Sequence, residues 1–172
     1  GFDSVGSVKK NFLVINNNAI GNNLTGTGFN LLSIPNVTYI NNTATNHGTG
    51  FVFGTNVTAI NNTAINNTVG FDMHNFGLFS GNKVSLSSTG FLVDNDINIL
   101  EDNLASNNNI GALVTITSDS NLFRKNTFTS NKIGIQILGN TINITGSTFS
   151  GNTESAIFII SGTNNMISNN TL

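Results

Sequence analysis

The chain has 172 residues, a formal net charge of -2, only 8% charged residues and no cysteine. Six Lys and Arg residues in a slightly acidic chain exclude the basic stripe that nucleic acid requires, and no apolar run reaches the ~18 residues of a membrane-spanning helix. With 38% hydrophobic residues the chain is not disordered, and its polar work falls to Thr, Ser and 34 asparagines.

Taken in chain order, a small residue followed by an apolar one recurs. The pairs are Gly28-Phe29, Gly50-Phe51, Gly70-Phe71, Gly90-Phe91, Gly111-Ala112, Gly134-Ile135 and Ala156-Ile157, at steps of 22, 20, 20, 21, 23 and 22 residues. Eight positions before the glycine stand Asn42, Asn62, Asn82, Asn103 and Asn126. Six positions before it stand Ala44, Ala64, Val84, Ala105 and Phe128. Three columns held in step over five repeats define a structural unit that cannot bury its apolar side alone and must stack.

Within the repeats, Phe51-Val52-Phe53, Phe71-Asp72-Met73, Phe91-Leu92-Val93 and Ile135-Gln136-Ile137 alternate with the period of a half-buried strand. No window carries the spacing of an amphipathic helix. Asn-Gly, the strongest hairpin signal, never occurs, which disfavours antiparallel strands. The pattern predicts an all-β, right-handed, single-stranded parallel β-helix of about seven coils of 20–24 residues, one domain over residues 1–172. Phe29, Phe51, Phe71 and Phe91 are expected to stack inside it. Asn42, Asn62, Asn82, Asn103 and Asn126 are expected to form an amide ladder at one corner, where asparagine tolerates left-handed backbone. Asn46, Asn66 and Asn107 mark a second corner.

Asn126, Phe128, Asn131, Gly134, Ile135 and Ile137 match an Asn-x-apolar, Asn, Gly-Ile-x-apolar cycle. This resembles the repeats of the pectate-lyase-like β-helix superfamily, of the carbohydrate-binding and sugar-hydrolase type. Similar repeats occur in polysaccharide-degrading enzymes, in a periplasmic protein of copper-site maturation and in archaeal and bacterial surface proteins. The resemblance implies an extracellular, cell-surface or periplasmic location. It implies the fold more specifically than the activity.

The sharpest chemical candidates follow from register. His74 and Asp94 stand at equivalent places of adjacent coils, with Asp72 and Asp96 two residues to either side, on the outer face of one sheet. Such a group suits acid–base work on a polysaccharide, or Ca²⁺. No basic residue accompanies it, so a solvated patch without catalysis is the preferred reading, with no resident cofactor or metal. Glu101 and Arg124 are expected to pair, His47 to be exposed, and Thr43, Thr63 and Thr127 to face outward. Asn36 and Asn56 begin Asn-x-Thr triplets on accessible turns and are the glycosylation candidates.

Gly1-Phe2 reads as part of a preceding coil and the last three residues as part of another. The chain is therefore expected to be a segment of a longer solenoid or a subunit that self-associates through open ends. The function expected is a structural or adhesive exterior module, stacking head to tail into filaments and contacting glycans. The alternative is a carbohydrate-active enzyme using the acidic group.

Overall fold

The computed structural model describes residues 2–3 and 11–172; Gly1 and residues 4–10 lie outside it. Among the described residues every regular element is a β-strand, and all pairings are parallel. The strands form two sheets of eight and one of seven, about seven turns of a solenoid. The first sheet holds the small–apolar pairs in strands such as Thr49–Val52, Val69–Met73, Thr89–Val93 and Ile110–Val114. The second runs through Val37–Ile40, Thr58–Ile60, Leu78–Ser80 and Ile99–Glu101. The third runs through Thr43–Thr45, Thr63–Ile65, Lys83–Ser85 and Leu104–Ser106.

Register is what the repeat demands. Phe29 pairs with Phe51, Phe51 with Phe71, Phe71 with Phe91 and Phe91 with Ala112. The backbone of Phe2 pairs with that of Phe29, extending the column one coil earlier. Rings of Phe29, Phe51, Phe71 and Phe91 lie nearly parallel at centroid separations of 4.7, 5.0 and 5.2 Å. Each is fully buried in one continuous core, and burying a Phe contributes about 1.5–3 kcal/mol before the ring–ring term. The glycine before each ring has a steric cause: a Cβ at Gly50 would stand 2.6 Å from the Gly70 carbonyl oxygen of the next coil.

The five predicted ladder asparagines are all buried. Asn42 N–H donates to Asn62 Oδ1 (2.9 Å), Asn62 to Asn82 (2.9 Å), Asn82 to Asn103 (2.8 Å) and Asn103 to Asn126 (3.0 Å). Their side-chain NH₂ groups follow the same path and also donate to buried carbonyls such as Tyr39 O and Ala59 O. Each amide thus satisfies itself and a backbone group of its neighbour, which is what makes its burial affordable.

Left-handed backbone falls one residue earlier than expected. Asn41, Asn61, Gly81, Asp102 and Lys125 have φ between 53 and 65° and lie immediately before the ladder residues. Corner duty and ladder duty are thus split between adjacent residues, which explains the Asn-Asn doublets. Asn46, Asn66 and Asn107 are likewise left-handed and line the surface of the second corner. The second ladder begins one residue on, through buried His47, Asn67, Ser87, Asn108 and Asn131 to half-buried Asn152.

The expectation for His47 is therefore corrected. It occupies a ladder position and is buried, its N–H donating to Asn67 Oδ1 at 2.8 Å. Its ring fits because Gly21 and Gly28 leave room. A Cβ on Gly21 would meet Nδ1 at 2.8 Å, and one on Gly28 would meet Cδ2 at 3.1 Å.

Thr43, Thr63, Lys83, Leu104 and Thr127 pair in that order on the outside of the third sheet, so the threonine row is interrupted as the sequence indicates.

Candidate functional site

Alternation in Val69–Met73 sends Phe71 and Met73 into the core and Asp72 outward. His74 follows at the strand end, and the pairing of Met73 with Val93 brings Asp94 alongside it on the next coil. His74 Nε2 lies 3.9 Å from Asp72 Oδ1, and both side chains are about a quarter exposed. Asn95 Nδ2 donates to His74 Nδ1 at 3.0 Å. The Asn95 amide nitrogen can only donate, so His74 Nδ1 accepts there. Partial burial raises the Asp72 pKa, His74 opposes this, and the neighbouring Asp94 carboxylate adds to it.

The structure thus brings Asp72, His74 and Asp94 together. Asp94 Oδ1 also accepts from Thr115 Oγ1 at 3.0 Å. Asp96 turns away. Its Oδ1 accepts the Asp119 N–H at 2.7 Å, and Asp119 Oδ1 accepts the Asn140 N–H in turn. Asn75, Asp96, Asp119 and Asn140 form a ladder whose backbone donors belong to the later coil, opposite to the other two ladders. Glu101 and Arg124 pair at 2.6 Å on adjacent coils.

Asn36 and Asn56 both have left-handed backbone, and Asn56 Nδ2 donates to Asn36 Oδ1 across one coil. Sequence reasoning missed four apolar residues at left-handed corners: Leu24, Phe76, Leu86 and Ile97, each between 45 and 59% exposed. Left-handed backbone costs a side-chain-bearing residue about 1–2 kcal/mol, so an exposed Leu or Ile there has no packing reward to offset it. Only the alignment of corners, not local sequence, reveals these positions.

A family described as "Periplasmic copper-binding protein (NosD)" matches residues 71–172, more than half of the chain. Neither the curated proteins nor the solved structures gave a match. The family's location agrees with the exterior compartment expected from the repeats. Its metal finds little to hold it. Copper favours imidazole, thiolate and thioether. The chain has no cysteine, two histidines and two methionines. His47 is buried in a ladder, Met73 is in the core, and Met166 lies on the last strand of the second sheet. Among the described residues no group of three or more His, Cys, Asp and Glu is arranged to bind a metal ion. The donor set does not fit copper, although the fold and the matched residues do fit the family. The chain belongs to the NosD family of periplasmic proteins.

Proposed function

We propose that the chain is a non-catalytic exterior β-helix module, a stiff scaffold or adhesive element that contacts glycans. The observation that carries this reading is the pair of amide ladders and the ring stack running through successive coils. They commit the buried polar and aromatic residues to holding one coil on the next, which suits presentation of a long, regular surface. A panel of neutral and acidic polysaccharides, assayed for binding and for turnover with and without Ca²⁺, tests it. Binding without product is the expected result.

Head-to-tail stacking belongs to the same reading. Parallel strands at an open edge can take up a further strand from a second copy. Sedimentation across a range of concentrations tests this, and a monomer at every concentration would remove self-association from the proposal. The second reading is a carbohydrate-active enzyme using Asp72, His74 and Asp94, favoured by the raised pKa of Asp72 beside an imidazole. Polysaccharide turnover abolished by Asp94→Ala would establish it over the first.

A further inference from the structure

We infer that the groove along the corner between the third and first sheets binds a neutral, polyhydroxylated ligand, a short oligosaccharide in chemical class. The inference rests on the reading of the chain as a glycan-contacting module and locates the contact. The groove is open, with a volume of about 640 Å³, within the range of roughly 300–1,000 Å³ common for ligand sites. It crosses three coils, between the left-handed corner row of Asn66, Leu86 and Asn107 and the exposed row of Thr68, Ser88 and Asn109. Leu24 lines it from the longer corner of the first coil, whose backbone arches over the next. The Leu24 carbonyl oxygen lies 3.3 Å from where a Gly48 Cβ would stand.

Three observations choose the ligand. None of the lining residues is charged, so a charged ligand would lose hydration without gaining a partner. The side chains of Thr68, Ser88, Asn107 and Asn109 make no hydrogen bond within the described residues, leaving amides and hydroxyls that both donate and accept. That combination suits hydroxyl groups, which do the same. Finally, Leu24 (φ 54) and Leu86 (φ 57) are strained and exposed, and at the Leu86 position Asn66 and Asn107 on the flanking coils show the unstrained choice. Strain kept at the surface points to a task at the surface, and two leucines facing an otherwise polar groove offer apolar contact to the C–H faces of a sugar ring.

Calorimetric titration with cellohexaose, maltohexaose and chitohexaose, and with polygalacturonate as the charged counterpart, tests the site. At least one neutral hexasaccharide is expected to bind. Leu86→Asn and Asn109→Ala should each weaken it about tenfold or more. Leu86→Asn should at the same time raise the melting temperature, because it relieves the strain. Ile97→Asn, the same relief at another corner, should raise the melting temperature and leave the affinity unchanged. Equal affinity in Leu86→Asn and Asn109→Ala, or binding of polygalacturonate alone, would overturn the groove while the module reading stands. Binding of no saccharide would overturn both.

Discussion

Tyr39 lies fully buried, its ring edge-on to Phe51 and Phe53 and its hydroxyl without a hydrogen-bond partner among the described residues. An orphaned buried hydroxyl costs about 1–3 kcal/mol, so Tyr39→Phe should raise stability in urea unfolding. Burial also pushes the phenol pKa well above its ordinary value. The neutral form is the one the fold tolerates. Its contribution is therefore complete below the unfolded pKa of about 10 and is lost as pH rises beyond it. Wild type should lose stability above pH 10 more steeply than Tyr39→Phe. Asp72 obeys the same sign at the other end of the scale. Its raised pKa, caused first by burial, means that the folded chain gives up this proton less readily than the unfolded chain does. Asp72→Asn should raise the melting temperature at pH 7 and do little at pH 3, where the carboxyl is already protonated. An equal gain at both pH values would contradict this account.

At the level of a single winding, two adjacent asparagines separate backbone conformation from hydrogen bonding. Asn61 has φ 54 and is exposed, whereas Asn62 is buried and its Oδ1 accepts both the N–H and the side-chain NH₂ of Asn42. Asn61→Gly should change stability little, and Asn61→Val should cost about 1–2 kcal/mol. Asn62→Leu should cost about 3 kcal/mol or more, since it strands the Asn42 N–H and the Tyr39 carbonyl together. Denaturant midpoints of the three variants decide between the assignments. The first ladder and the ring column were legible because each coil repeats one residue type at one spacing. The second ladder was not, because His47 and Ser87 interrupt its asparagines and only stacking reveals that all of them point inward. Asp72, His74 and Asp94 were legible from register alone. The groove was not, because Leu24 reaches it from a corner of different length, outside the repeat.

For the molecule as a whole, membership of a copper-binding family and a donor set that suits copper poorly lead to a direct expectation. The purified chain, dialysed against Cu(I) under reducing conditions and against Cu(II), should retain well under one equivalent by elemental analysis. One tightly held equivalent, lost in His74→Ala, would show that the imidazole recruits copper with donors absent from the cluster beside it.

The corners carry one more implication. In five of the Asn-x-Thr triplets, at Asn36, Asn41, Asn56, Asn61 and Asn66, the asparagine supplies the left-handed turn, the middle residue drops into the interior and the threonine emerges on the outer side. The triplet is thus a by-product of bending the backbone, written wherever an asparagine makes the bend and a threonine follows it out. An oligosaccharyltransferase meeting this chain would find these five acceptors in files along the edges, one winding apart.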